Sequence, residues 1–187
     1  MADMPPANIS QAEPAKPSKA IEEIGDKLAK YKINYNDVKV AVEEAFPTLA
    51  MQIAVLGHIG RETDGTYDYK IKQYGGGPGR GLLQLEDGKY SNGVDKHFRN
   101  YNRWLTKNKL EDSAKSQVFY LKDNIIGSQR EYNGFGNSKK IVESIKSNDP
   151  KLIAETLQER FFRSGKKLPQ KTNDYMSFWT TILTPAK

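Results

Sequence analysis

The sequence predicts an α+β fold that is mostly α. Apolar residues recur at spacings of three and four over most of the chain, which is typical of amphipathic helices. Between residues 63 and 85 this spacing gives way to alternation and then to a run of glycines, which predicts a small β-hairpin region. With 187 residues, the chain is long enough for one domain with a core of its own. We therefore expect a single folded domain at residues 19–187.

Residues 1–18 differ in composition from the rest of the chain. They contain Pro5, Pro6, Pro14 and Pro17 among small and polar residues, with almost no apolar bulk. Such a segment cannot bury enough surface to offset the entropy that it would lose on ordering. We interpret it as a flexible N-terminal arm, either an inert terminus or a tail that attaches the chain to a partner.

The composition excludes several kinds of site. The chain has no cysteine, which excludes a disulfide scaffold, a thiolate metal site and a cysteine nucleophile. With only two histidines, we expect no metal site and no cofactor. Lys and Arg number 29 against 23 Asp and Glu, and the net charge of +6 favours an anionic partner such as nucleic acid, a membrane surface or a cell wall. Because no apolar run reaches membrane-spanning length and the first residues lack a basic leader and an apolar core, we expect neither a membrane span nor a secretory signal.

Two helices are predicted before residue 47. Ser18 can cap the first, which runs to about Tyr31, and Asn36 or Asp37 starts the second. Their apolar positions are Ile21, Ile24 and Leu28 in the first helix and Val38, Val40, Val42 and Phe46 in the second.

A third helix, at about residues 47–60, is the most apolar in the chain. Pro47 suits its first turn, and Thr48 lies near its start. We expect this helix to lie at the centre of the core, with Glu62 at or just beyond its C-terminal end. Its apolar positions are Leu49, Ile53, Leu56 and Ile59.

The next stretch changes from the helical period to the strand period. Residues 67–72 alternate apolar and charged side chains, as in a half-buried strand, and residues 64–65 offer a turn before it. Residues 75–79, Gly-Gly-Gly-Pro-Gly, require loop geometry. Residues 81–85, Gly-Leu-Leu-Gln-Leu, return to a short apolar strand. We expect a small, irregular β-region here and not a full sheet.

The remainder is predicted to be mostly helical. Gly127 stops the second of two helices, and residues 128–138 form a loop. Two more helices meet near Asp149-Pro150, and a last one follows a basic loop at 164–172. The apolar positions of these helices are Val94, Phe98, Tyr101 and Leu105; Val118, Leu121 and Ile125; Ile141 and Ile145; Leu152, Leu157 and Phe161; and Tyr175, Phe178, Trp179 and Ile182.

Glu62 is the residue on which the functional interpretation depends. Cleavage of a glycosidic bond needs a carboxylic acid that is still protonated near neutral pH. An apolar helix end can raise the pKa of a glutamic acid from about 4.3 to about 6, which takes roughly 2 kcal/mol of differential desolvation. A cation at Arg61 would oppose this. Because neighbouring helical residues point about a hundred degrees apart, we expect Arg61 to face elsewhere.

The glycine run and the segment after it suit the binding of a polysaccharide. A sugar chain must lie against backbone N–H and C=O groups, and side chains at residues 75–77 and 79 would obstruct it. Gln84 offers an amide that can both donate to and accept from a sugar hydroxyl or N-acetyl group. The glutamate at a helix end, the glycine run and the segment with Gln84 are each weak evidence alone. Their order and spacing together support a site that binds and cleaves a polysaccharide.

Arg61-Glu62-Thr63 and Gly81-Leu82-Leu83-Gln84 carry a resemblance to a known family. They resemble the lysozyme-like superfamily of soluble lytic transglycosylases and goose-type lysozymes, where the catalytic Glu is followed by Ser and the groove wall carries Gly-Leu-Met-Gln. Residues 75–86 look similar to lysozyme-type domains encoded by bacteriophages. The resemblance implies a lysozyme-like fold with a small β-hairpin region and a groove between lobes.

The resemblance also implies roles for single residues. Glu62 is implied as general acid and base. Arg80 is added because it lies within residues 75–86, the stretch that is similar to the phage-encoded domains. The family also has a later Asn-Ala-Gly segment with a Tyr, which has no clear counterpart in this sequence. Tyr132 and Tyr175 are the nearest candidates for that Tyr. The candidate substrate-binding residues are Gln84, Gly81, Arg80, Tyr74 and Tyr132.

A second carboxylate would decide between two mechanisms. Hydrolysis with inversion needs one about 6.5–9.5 Å from the first, to activate water. Glu86 stands where goose-type enzymes carry an Asp and is the first candidate, ahead of Asp64 and Asp68. Glu86 fits an acidic turn with Asp87 equally well. A lytic transglycosylase needs only Glu62, because the 6-hydroxyl of the sugar closes an anhydro ring.

The resemblance thus predicts a peptidoglycan-degrading glycosidase that cleaves the β-1,4 bond between N-acetylmuramic acid and N-acetylglucosamine. The expected partners are glycan strands and, through the N-terminal arm, phage structural proteins. The expected location is a phage virion, or the host cytoplasm before release, with action on the bacterial wall. A lytic transglycosylase and a non-catalytic lysozyme-fold component of a phage particle stay open as alternatives. We expect no nucleic-acid partner, because the charge is modest and no nucleic-acid motif is present.

Overall fold

The computed structural model describes residues 18–73, 77, 79–86, 97–126, 138–162 and 168–184. The arm predicted at residues 1–18 lies outside this part of the chain, apart from Ser18. The predicted site residues Tyr74 and Tyr132 also lie outside it.

The described residues are mostly helical, as predicted. No helix among them is both long and apolar enough to cross a membrane. Asp149 caps one of two consecutive helices, as expected near Asp149-Pro150, by accepting the Lys151 N–H at 2.9 Å. The helices are α1 (Lys19–Lys30), α2 (Lys32–Ala45), α3 (Leu49–Glu62), α4 (His97–Asn108), α5 (Ala114–Ile125), α6 (Ser138–Ser147), α7 (Pro150–Leu157), which continues into a π-helical turn at Gln158–Phe162, and α8 (Gln170–Leu183).

Helix α2 starts earlier than predicted and buries a different face. It begins at Lys32, directly after Tyr31 ends α1, whereas the sequence suggested a start at Asn36 or Asp37. Val38 and Val42 are fully buried because they lie one turn apart on the same face. Val40 is 60% exposed, since two helical positions turn its side chain to the opposite side.

Helix α3 is the central helix, as its apolar sequence predicted. The Thr48 hydroxyl caps it by accepting the Met51 N–H at 3.3 Å. Every residue from Ala50 to Gly60 is buried except Gln52. Helices α2, α7 and α8 pack around it. Its C-terminal residue, Glu62, therefore stands at a fixed place where the core meets the surface.

Two glycines allow α8 to approach α3 closely. A Cβ at Gly60 would lie 2.6 Å from the Tyr175 ring, and a Cβ at Gly57 would overlap the Met176 side chain. Tyr175 and Met176 are both buried on α8. The small residues of α3 thus set the distance between these two helices.

The chain after α3 forms turns where the sequence predicted strands. Tyr67, expected in a half-buried strand, has a φ of +50° and is 1% exposed. Its hydroxyl donates to the Leu56 carbonyl at 3.0 Å and accepts the Trp179 indole N–H at 2.7 Å. These core contacts hold the residue in a left-handed conformation that no strand tolerates. The described residues of the predicted β-region form only two isolated antiparallel bridges, Lys72 with Arg80 and Arg80 with Leu85.

Candidate functional site

Glu62 lies at the end of the central helix, as the sequence predicted. It is the last residue of α3, and its side chain is 17% exposed. Thr63 ends the helix: its hydroxyl donates to the Ile59 carbonyl at 2.7 Å and accepts the Tyr67 N–H at 3.1 Å. The turn after Glu62 is therefore fastened to the core by a fully buried side chain. The carboxyl group is held at the rim and not in bulk solvent.

The prediction that Arg61 faces away from Glu62 is wrong. The Arg61 guanidinium donates a hydrogen bond to Oε1 of Glu62, and both side chains are 17% exposed. Although adjacent Cβ atoms diverge, the long arginine side chain can fold back because the helix ends at Glu62. Burial lowers the pKa of Arg61, but the guanidinium stays charged near neutral pH. The contact favours the ionised form of the Glu62 carboxyl group.

The segment that resembles the family signature is a closed turn and not the short strand predicted. Arg80 and Leu85 exchange backbone hydrogen bonds of 3.1 and 3.0 Å. Leu82, Leu83 and Leu85 are buried and anchor the turn in the core. We call residues 80–85 the signature turn.

Gln117 on α5 holds the signature turn in place through hydrogen bonds. The sequence analysis did not identify this residue. Its Oε1 accepts the Leu82 N–H at 2.7 Å, and its Nε2 donates to the Tyr69 carbonyl at 2.9 Å. Gly81 has a φ of +71°, and a Cβ there would overlap the Gln117 amide. The structure thus gives Gly81 a packing reason beside its predicted place on a substrate groove. A polar residue within the apolar face of α5 was the available signal.

The side-chain amide nitrogen of Gln84 is engaged within the signature turn, whereas its oxygen is not engaged by any described residue. Its Nε2 donates to the Gly81 carbonyl at 2.8 Å, and its φ is +46°. In the described part of the chain its Oε1 makes no hydrogen bond, and the side chain is partly exposed. Contact of Gln84 with a sugar stays a prediction, with Oε1 as the acceptor that a sugar hydroxyl could reach.

Arg80 and Glu86 flank the signature turn at the surface. The Arg80 guanidinium lies 5.9 Å from the centre of the Phe98 ring. Glu86 is partly buried, and its carbonyl accepts the Phe98 N–H at 3.2 Å. Substrate binding by Arg80 and catalysis by Glu86 remain predictions.

The two weaker candidates for a second carboxylate have structural partners. Asp64 accepts from Lys27 at 2.6 Å and from Lys171, which ties α1 and α8 to the turn after α3. Burial raises the pKa of Asp64, but the two lysines outweigh it and the pKa is lowered overall. Asp68 accepts the Lys70 N–H at 2.9 Å and closes a local turn. Both oxygens of Asp64 are engaged by lysines, whereas Asp68 uses only its Oδ1 among the described residues.

A pocket of about 220 Å³ opens beside the signature turn. Arg80 and Gly81 line it, whereas neither Glu62 nor Gln84 is among the described residues at its wall. The structure thus brings two predicted residues to one cavity. The other lining residues include Tyr69, Lys70, Lys72, Phe98, Tyr101 and Asp112.

No group of three or more His, Asp or Glu residues in the described ranges is arranged to hold a metal ion. Comparison with protein-family models, with curated proteins and with solved structures finds no match for the chain. The resemblance to the lysozyme-like superfamily therefore rests on residues 61–63 and 75–86 of the sequence.

Proposed function

We propose that this chain is a peptidoglycan-degrading glycosidase in which Glu62 is the general acid and base. The observation that carries the proposal is the place of Glu62 at the end of a buried helix, with a side chain that is 17% exposed. A carboxyl group at such a rim can reach a polymer in solution while the core limits its hydration. The bond cleaved is the β-1,4 bond between N-acetylmuramic acid and N-acetylglucosamine, which is the bond that the resemblance implies.

In this proposal Glu62 protonates the leaving glycosidic oxygen and later accepts a proton from the attacking group. The ion pair with Arg61 favours the carboxylate, which is the base and not the acid. Arg61 must therefore release the carboxyl group when a substrate binds. A sugar chain over the end of α3 would separate the two side chains by displacing the guanidinium toward solvent.

The attacking group distinguishes a lysozyme from a lytic transglycosylase. Both oxygens of Asp64 accept from lysines, so Glu86 stays the first candidate base for hydrolysis, ahead of Asp68. The engagement of Asp64 supports the transglycosylase as a second candidate function, since that reaction needs Glu62 alone. Mass spectrometry of digested peptidoglycan separates the two, because anhydro-muramic ends identify a transglycosylase and reducing muramic ends identify a lysozyme.

Substitution of Glu62 by Gln tests the proposal. The variant keeps the size and polarity of the side chain but cannot donate a proton, and we expect clearing of cell-wall suspensions to slow by about 10²–10⁴-fold. Glu22, an exposed residue of α1, supplies the matched control. Glu22→Gln should clear at the wild-type rate.

Clearing by Glu62→Gln at the wild-type rate would defeat the catalytic role of Glu62. Failure of the purified wild-type chain to clear any wall preparation would favour the non-catalytic lysozyme-fold component of a phage particle.

The proposed partners follow from the proposed substrate. In this proposal glycan strands contact both Glu62 and the signature turn, and residues 1–18 attach the chain to phage structural proteins. The chain would then reach the wall from a virion, or from the host cytoplasm at release. Removal of residues 1–18 should leave the clearing rate of the purified chain unchanged while abolishing its incorporation into particles.

A further inference from the structure

The pocket beside the signature turn has the walls of a ligand site. Tyr69, Phe98 and Tyr101 place aromatic surface around a cavity of about 220 Å³. Tyr101 is 1% exposed, and burial followed by its contacts with Asp112 raises the pKa of its hydroxyl, which stays protonated. Pockets that combine apolar walls with a few fixed polar groups are typical of binding sites.

Three cations line this pocket, and none of them has a carboxylate partner among the described residues. Lys70, Lys72 and Arg80 are exposed, and within the described part of the chain none of them forms an ion pair. Lys70 and Arg80 lie instead over aromatic rings of the pocket, at 5.2 Å from the Tyr69 centroid and 5.9 Å from the Phe98 centroid. These positions turn the charges toward the cavity. An anion bound here would meet three donors that form no ion pair within the part of the chain that the structure describes.

One carboxylate of the pocket is fixed in place. Oδ1 of Asp112 accepts from the Tyr101 hydroxyl at 2.7 Å and from Nε2 of Gln117 at 2.9 Å. No described residue bonds to its Oδ2, which remains able to accept from a ligand. The pocket therefore offers three cations and one oriented anion, an arrangement that suits a ligand with carboxylates and an amino group.

We infer that this pocket binds the acidic peptide stem carried by N-acetylmuramic acid, with stem carboxylates at Lys72 and Arg80 and a stem amino group or amide N–H at Asp112. The inference rests on the proposed function, which brings a muramyl polymer to the signature turn. A neutral glycan offers no negative charge to the three cations. A polymer of phosphates offers nothing to Asp112 and is repelled by it. The peptide stem carries both kinds of group.

Direct binding tests the inference without any need for catalysis. Isothermal titration of the full chain with N-acetylmuramyl-pentapeptide should give saturable binding, and the same peptide with its carboxylates converted to amides should bind at least about tenfold more weakly. The double variant Lys72→Gln/Arg80→Gln should weaken binding of the acid form by a similar factor. Asp112→Asn should weaken it as well, because the asparagine oxygen stays with Tyr101 and Gln117 and an amide N–H donor takes the place of Oδ2.

A matched control removes two charges elsewhere. Lys146 and Lys151 are exposed on α6 and α7, away from the pocket, and Lys146→Gln/Lys151→Gln should bind the acid form like the wild type. Equal binding of the acid and amide forms would overturn the inference. Binding of polyglycerol phosphate that matches or exceeds binding of the muramyl peptide would overturn it as well.

Failure of this inference is distinguishable from failure of the proposed function. Glu62→Gln should bind the muramyl peptide like the wild type while losing clearing activity. One outcome would support the glycosidase and contradict the peptide pocket. In that outcome the wild type cleaves amidase-stripped glycan strands as fast as peptide-bearing ones, and Glu62→Gln cleaves neither. If Glu62→Gln clears walls normally and still binds the acid form of the muramyl peptide more tightly than the amide form, the pocket is supported and the catalytic role of Glu62 is contradicted.

Discussion

The guanidinium of Arg61 donates a hydrogen bond to the carboxylate of its neighbour Glu62 at the C-terminal end of α3. Both side chains are largely buried, so solvent screens the pair little. The proposed general acid is thus paired with a cation until Arg61 moves. This pair links the structure of the helix end to the pH range in which the chain would act.

Arg61→Gln should shift the pH dependence of clearing. Loss of the cation removes a stabiliser of the Glu62 carboxylate, so the alkaline limit of activity should move upward. Arg61→Lys keeps the charge and should move the limit much less. Coincident pH–rate profiles for Arg61→Gln and the wild type would show that the pair does not govern the acid.

Gly81→Ala should destabilise the fold by about 1–3 kcal/mol, because the new Cβ meets the Gln117 amide and the residue has a φ of +71°. Urea unfolding followed by circular dichroism measures this loss. Gly25→Ala is the matched control, since the nearest atom to its Cβ lies 3.6 Å away on Phe178 and the position is inside α1. That change should be neutral or stabilise by up to about 1 kcal/mol. Equal effects of the two substitutions would contradict the packing role of Gly81.

Tyr67→Phe should cost about 1–3 kcal/mol, because it removes the acceptor of the buried Trp179 indole N–H and the donor to the Leu56 carbonyl. The change in the free energy of unfolding and the tryptophan fluorescence of the native state both report it. Tyr31 is 38% exposed, and Tyr31→Phe should stay within about 0.5 kcal/mol of the wild type. A Tyr67→Phe protein as stable as the wild type would contradict the stabilising role of the two hydrogen bonds.

His58 should make the fold sensitive to mild acid. Its Nε2 donates to the Ala154 carbonyl at 2.8 Å. Burial lowers its pKa to about 4; the hydrogen bond to Ala154 opposes this shift, and the Arg61 charge adds to it. Because the unfolded chain titrates near 6.5, it binds more protons than the native state between those values. Stability should be complete above about pH 6.5 and fall, by on the order of 3 kcal/mol, as the pH drops to about 4.

His58→Gln checks this prediction. The glutamine can still donate to the Ala154 carbonyl but does not titrate. The free energy of unfolding of the variant should be nearly flat between pH 6.5 and 4, whereas that of the wild type should slope. The stabilising contribution of the Asp64 carboxylate is lost only at lower pH, because its two lysine partners lower its pKa in the folded state. Parallel slopes in the two proteins would assign the acid sensitivity to other groups.

Much of the helical framework could be predicted from periodicity and end signals. Thr48 lies at the start of α3 as predicted, because its side chain accepts from a backbone N–H of the first turn, and two helices meet near Asp149-Pro150 as predicted. The position of Glu62 at the end of α3 followed from the apolar run before it. Each of these features depends on residues within a few positions along the chain.

The prediction of a β-region was wrong because contacts with residues distant in sequence decide its conformation. The alternation after Thr63 has the strand period, but Tyr67 is drawn into the core by Trp179, which is 112 residues away in sequence. Gln117 likewise fixes the signature turn from 35 residues beyond Leu82. No local pattern encodes such partners, so neither residue could be assigned from spacing.

The sequence by itself determined the central helix, its caps and the placement of one acid at its end, because hydrogen bonds and side-chain periodicity within single helices decide these features. Only the tertiary structure decided that Arg61 pairs with Glu62, that Gln117 closes the signature turn, and that three cations meet around one pocket. These arrangements depend on where separate elements pack against one another, or on how a long side chain folds at a helix end. Sequence spacing does not determine either.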